Sequence, residues 1–124
     1  MIAASKLLTP SQLAIVRKRS NWRGIFLVLH AWTVIFGMMA LFVWLPNPIT
    51  FLVAVVVIGG RQLGLAVLMH DGAHGVLCEN QKLNAFVSQW LCAYPVMAET
   101  WTYRRYHLKH HAHTQQPDDP DLIL

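Results

Sequence analysis

No charged residue occurs between Gly24 and Gly60, which removes most of the folds open to a chain this short. Ile25 to Leu45 gives 21 residues, or about 31 Å of helix, enough to cross a hydrocarbon core of about 30 Å. A second run of 21 follows from Ile49 to Met69. Between the runs, Pro46, Asn47 and Pro48 read as a tight, uncharged turn. A signal peptide has a shorter apolar core and a small-residue cleavage site, and neither is present. The sequence therefore predicts an all-α membrane protein built on a two-span helical hairpin. Lys6, Arg17, Lys18, Arg19 and Arg23 precede the first span, and no acidic residue comes before Asp71. By the positive-inside rule this basic flank is cytoplasmic, and an antiparallel hairpin returns the chain to that side. The net charge of +4 could suggest nucleic acid, but the basic residues flank spans instead of lining a groove, so no nucleic acid is expected.

Thr9 and Pro10 read as the cap and first residue of a surface helix that runs into Arg17–Arg19 and is broken by Ser20 and Asn21. Trp22 and Trp44 suit the two interfaces of the first span. His30 is expected to bond to a neighbouring helix. Arg61 costs about 2.5–3.5 kcal/mol inside a membrane and calls for a polar partner. Gly59, Leu63 and Ala66 share the face of the second span that leads to His70 and His74, a face with room for another helix, the favoured reading, or for an extended apolar ligand. Gly75 is placed to end that helix. Asn80 then caps an amphipathic helix whose apolar stripe is Leu83, Phe86, Val87, Trp90, Leu91 and Tyr94. From Gln81 to Tyr94 it is about 21 Å long, too short to span, so it is expected to lie in the cytoplasmic interface until Pro95 stops it. A last helix is expected from Thr100 to Gln116, ended by Pro117. Asp118 to Asp121 then make a turn and a new cap, with Pro120 at a first helical position. Cys78 and Cys92 lack metal-type spacing and read as buried free thiols.

The chemistry lies in residues 70–124, expected on the cytoplasmic side. His70 and His74 stand at i, i+4. On the last helix His107 lies one turn from His110 and His111, so these three share a face, and His113 points about 120° away, as a solvated residue would. Five imidazoles in two clusters on one membrane side point to a transition metal. A single zinc is a poor match: it takes four ligands or three plus water, and the H-E-x-x-H helix is absent because Ala73 precedes His74. A pair of octahedral ions fits histidine-rich ligation better, but needs about eight or more ligands, of which these are five.

His70-Asp71-Gly72-Ala73-His74 followed by His107-Leu108-Lys109-His110-His111 resembles the first two histidine boxes, H-x3-H and H-x2-H-H, of the membrane fatty acid desaturase family. Trp90 to Pro95, Tyr103 to His107 and Asp119-Pro120-Asp121-Leu122 look like bacterial members. The likeness is strong over about residues 60–124 and general over the hairpin. It implies an oxygen-dependent di-iron enzyme that removes two hydrogens from a lipid acyl chain, with electrons from a ferredoxin- or cytochrome-type donor, in the bacterial inner membrane. Carried over by residue, His70, His74, His107, His110 and His111 would ligate two iron ions, and Asp71 would orient an imidazole from behind. The family's third box, again H-x2-H-H, has no counterpart in these residues. Residues 1–124 are therefore expected to be the N-terminal part of one desaturase-like domain, inactive alone. Two rivals remain: a related histidine-box oxygenase such as a carotenoid ketolase or hydroxylase, and a non-enzymatic metal-binding membrane hairpin.

Overall fold

Local capping chemistry sets where the helices begin. In the computed structural model, which describes residues 7–122, every regular element is helical. Helix α1, Pro10–Val16, is opened by a capping box in which Thr9 and Gln12 satisfy each other's backbone N–H groups. Helix α1 ends with Arg17 as its C-cap, so it stops short of the expected Arg17–Arg19 end and Ser20 does not break it; Ser20 instead starts α2, Asn21–Trp44, by accepting from Arg23 N. The helix therefore begins four residues before the apolar run, with Trp22 and Arg23 in its first turn. Asn47 caps α3, Pro48–Ala73, accepting from the backbone of Ile49 and Thr50 at 3.0 and 3.1 Å.

Helices α2 and α3 are long and apolar enough to cross a membrane, and they pack on each other. Phe42 and Phe51 meet beside the turn with ring centres 5.7 Å apart. Towards the other end, Val28, Ala31 and Ile35 join Leu65, Leu68 and Met69 in one buried cluster. The outer surface of the pair carries exposed Phe26, Leu29, Phe36, Val56 and Leu63. So large an apolar exterior suits lipid and not water. Gly59 borders open space and Leu63 is exposed, so that part of the expected face has no helix packed on it among the described residues, while Ala66 lies beside Tyr103 of the last helix. His30 is exposed and stands 6.3 Å from the Phe26 ring. It makes no hydrogen bond to a neighbouring helix among the described residues, contrary to expectation. Arg61 is half-buried and likewise has no bonded partner there.

Helix α3 runs four residues past Met69, so His70 lies in its last turn and His74 is its C-cap. Gly75 follows with a positive φ of 71°, the left-handed conformation that terminates helices and that glycine adopts without strain.

The next segment differs most from expectation. Asn80 caps α4, Gln81–Phe86, through bonds from Lys82 N and Leu83 N. The chain then widens into a π-helical segment, Val87–Ala93, and tightens into a 3₁₀ turn, Tyr94–Val96. Phe86, Trp90, Leu91 and Tyr94 of the apolar stripe face outward, whereas Asn84, Ser88 and Gln89 are buried. The inner face is mixed: Val87, Cys92 and Ala93 join the buried apolar cluster, while the three polar residues meet the end of α3 and the start of the last helix. Asn84 Nδ2 donates to Gly72 O at 2.8 Å, and its Oδ1 accepts from Cys78 N at 3.1 Å. Ser88 lies directly on Gly72, where an added Cβ would come within 2.2 Å of Ser88 Oγ.

The same polar residues start the last helix, α5, Thr100–His113. Ser88 Oγ and Thr100 Oγ1 are 3.0 Å apart, and Gln89 Oε1 accepts Thr100 N at 3.0 Å. Arg104 donates to Ala73 O, binding α5 to the end of α3, and Arg19 donates to Gly75 O at 2.7 Å. Helix α5 stops three residues before the expected Gln116. Thr114 Oγ1 turns back to His110 O at 2.8 Å, Gln115 adopts a positive φ of 60°, and Asp119 Oδ2 accepts Gln115 N at 2.9 Å. Pro120 opens a 3₁₀ turn to Leu122, as its position after Asp119 suggests.

Gly72→Ala drives a methyl group into Ser88, and overpacking of this kind costs about 1–3 kcal/mol. Denaturant titration in detergent should show that loss. Unchanged stability would mean that the contact between α3 and the π-helical segment is not tight.

Candidate metal centre

Two helix ends bring the histidines together. His70 and His74 sit one turn apart at the end of α3, and His107 and His111 one turn apart on α5. The clamp through Gly72, Ser88 and Thr100 sets one helix against the other. One ligand atom from each of His70, His74, His107 and His111 falls within 4.8 Å of all the others. His107 Nε2 is 3.0 Å from His74 Nε2 and 2.9 Å from His111 Nε2. Tyr103 stacks on the His107 ring with centroids 4.9 Å apart and planes 15° from parallel. Asp71 Oδ1 is 3.3 Å from His70 Nδ1, within reach of the orienting role expected of it.

Hydrogen bonding alone satisfies this packing poorly. A neutral ring nitrogen either donates or accepts, so His107 Nε2 forms one good bond with its two neighbours and leaves the other contact unsatisfied. A shared cation removes the conflict. Two nitrogens each about 2.1 Å from one ion and at right angles lie about 3.0 Å apart, which is the spacing found. The donor set therefore fits a transition-metal ion.

His110 lies outside this quartet. Its ring centre is 6.2 Å from that of His107 and 5.8 Å from that of His111. Its Nδ1 faces Asp119 Oδ1 at 2.8 Å and Asp121 Oδ2 at 3.1 Å. Asp121 also accepts the Tyr106 hydroxyl. The spacing put five rings on shared faces but gave these two aspartates only a turn and a helix cap, with no part in the site. The available signal was the pair of carboxylates in Asp119-Pro120-Asp121, one helix turn and a bend beyond His110. His113 Nδ1 is 3.8 Å from Asp118 Oδ2, away from the quartet. Cys78 and Cys92 are buried free thiols; burial pushes the Cys92 thiol up to about 12, a protonated and inert state.

Burial, then the neighbouring His70 and His111, lowers the pKa of His74; burial, then His111, His70 and His74, lowers that of His107. The hydrogen bond to Asp119 raises that of His110 and lowers that of Asp119. The neutral ring is the ligating form, so His74 and His107 are poised to bind at neutral pH.

These features define a class: a helical protein with two membrane-length helices and two histidine boxes held face to face. The chain belongs to the fatty acid desaturase family, whose model, Fatty acid desaturase, matches residues 42–123. It is also similar to the dihydrorhizobitoxine desaturase of Bradyrhizobium elkanii, with 39% identity over 71 residues, covering 56% of this chain and 20% of that relative. The chain thus spans about a fifth of that relative's length. No solved structure matches.

In an NMR titration of the metal-free chain, His74 and His107 should protonate below the usual histidine value of about 6.5, and His110 above it. The signs follow from linkage: just below that pH the unfolded chain binds more protons at His74 and His107, so their contribution to stability falls as the pH drops. The reverse order of titration would contradict the packing described.

Proposed function

We propose that this chain contributes the first two histidine boxes of an oxygen-dependent desaturase. Membership of the family supports the reaction class, and the convergence of four imidazoles at the membrane-proximal end of α3 is the observation that carries the reading. His70, His74, His107, His110 and His111 are the proposed ligands of two iron ions, with the remaining ligands supplied by protein beyond these residues. The chemistry that bound iron supplies is oxygen activation for hydrogen removal. In the balanced reaction an acyl –CH2–CH2– unit and O2, with two electrons and two protons, give –CH=CH– and two waters. The electrons require an outside donor, proposed to be of ferredoxin or cytochrome type.

The chain's own residues have definable parts in this reading. The groove lined by Ala66, Val67, Met69, His70 and Tyr103 offers apolar wall up to the edge of the quartet, and a lipid acyl chain is its proposed occupant. Tyr103, stacked on His107, restricts water on that side. Asp71 holds His70 from behind, and Arg104 fixes the end of α3 against α5. The N-terminus and both boxes are proposed to lie on the cytoplasmic face of a bacterial inner membrane, in keeping with the basic flank ahead of α2.

One observation favours a second reading. Four imidazoles around one point are enough for a single ion, so these residues could serve as a metal-binding membrane module without catalysis. Iron analysis and lipid extraction separate the two. In the enzyme carrying all its ligands, replacing any one of the five histidines with Ala should abolish stoichiometric iron loading and the alkene product. Normal iron content in a variant would remove that residue from the ligand set. A hydroxylated or ketone product would assign the protein to the oxygenase branch, and iron uptake without any product would favour the non-catalytic module.

A further inference from the structure

Asp119 is 2% exposed, although it lies in a short turn beyond the last helix of the described structure. A buried carboxylate must have its lone pairs occupied, and here each bond has a named partner. Asp119 Oδ2 accepts Gln115 N at 2.9 Å. Oδ1 accepts Asp121 N at 3.0 Å and lies 2.8 Å from His110 Nδ1. The first two bonds fold the chain back after His113, and the third fixes a ring. Asp121 supports the same nitrogen from 3.1 Å and is itself held by the Tyr106 hydroxyl, one turn before His110 on α5. An ordered carboxylate, a stapled turn and a tyrosine therefore all act on one imidazole nitrogen.

We infer that Asp119, backed by Asp121, is the positioning residue that holds His110 as the Nδ1–H tautomer and so leaves Nε2 as its metal-binding atom. This rests on the proposal that His110 is a ligand. The physical reason is general: a carboxylate on one ring nitrogen selects the tautomer, fixes the ring plane and raises the basicity of the other nitrogen. The competing role, Asp119 as a ligand itself, is disfavoured because both of its oxygens already accept backbone N–H groups and the residue has almost no open surface. The arrangement also accounts for the early end of α5, since the bond from Gln115 to Asp119 draws the chain out of the helix.

The test uses the full chain in detergent micelles, with ¹⁵N-labelled histidine and cobalt(II) as the metal probe, and reads the affinity for the second cobalt, the ion taken up beside the one in the quartet, which His110 would help to hold. Above the titration of His110, long-range ¹H–¹⁵N spectra should show the Nδ1–H tautomer in the parent chain. Asp119→Ala should shift His110 away from that tautomer and weaken cobalt binding about 10–100-fold, the usual effect of removing such a support. Asp119→Asn keeps an acceptor for His110 but loses the charge and the bond from Gln115. It should retain the tautomer with a smaller loss of affinity, and it serves if the alanine variant does not fold. His110→Ala is the separate control: if it leaves cobalt binding unchanged, the ligand assignment fails and not the tautomer argument. If His110→Ala weakens binding but Asp119→Ala changes neither tautomer nor affinity, the positioning role is overturned. Loss of the Nδ1–H form in Asp119→Asn, or a carboxylate in the cobalt coordination shell, overturns it as well.

Discussion

Gly72 against Ser88 is the contact on which the rest of the molecule turns. It lies within the first histidine box, midway between His70 and His74, and no larger residue fits there without movement. The close approach lets Asn84 reach Gly72 O and puts Ser88 beside Thr100, the first residue of the helix that carries the second box. One small residue thereby sets the distance between two histidine-bearing helix ends. The clamp is made of polar groups buried against each other, and this gives it direction: hydrogen bonds specify a geometry that apolar contact alone would leave loose.

The π-helical segment follows from the same requirement. A regular helix from Gln81 to Tyr94 would turn about 100° per residue and keep one stripe towards a single neighbour. The widened turns bury Val87, Ser88, Gln89, Cys92 and Ala93 instead, so one short element meets α3 and the start of α5 together. The displaced apolar residues, Trp90 and Leu91 among them, are left on the outside, which suits a lipid-facing surface. Trp32 of α2 donates to Leu91 O at 3.0 Å, so the first long helix also braces this segment.

Much of this was legible from residue types and spacing. The uncharged stretch gave the two long helices, Asn47, Asn80 and Gly75 marked their punctuation, and the i, i+4 histidines marked the site. What stayed hidden depends on tertiary contact. Asn84, Ser88 and Gln89 look like a solvated face until α3 is placed against them. Ser20 reads as a breaker but serves as a cap, since the first helix has already ended at Arg17. The early end of α5 depends on Asp119, whose bonds to Gln115 and His110 have no signature in hydrophobic period. His30 was assigned a bonded neighbour on general grounds, and its exposure shows how weakly a lone polar residue in a span specifies its surroundings.

The proposed centre depends on four imidazoles sharing one point in space. X-ray absorption on the chain loaded with one equivalent of cobalt(II) measures this directly through the multiple scattering of imidazole rings. Four rings at about 2.1 Å, reduced when His74 or His111 is replaced, is the result predicted. A first shell of mostly water or carboxylate oxygen, with no more than two rings, would contradict it.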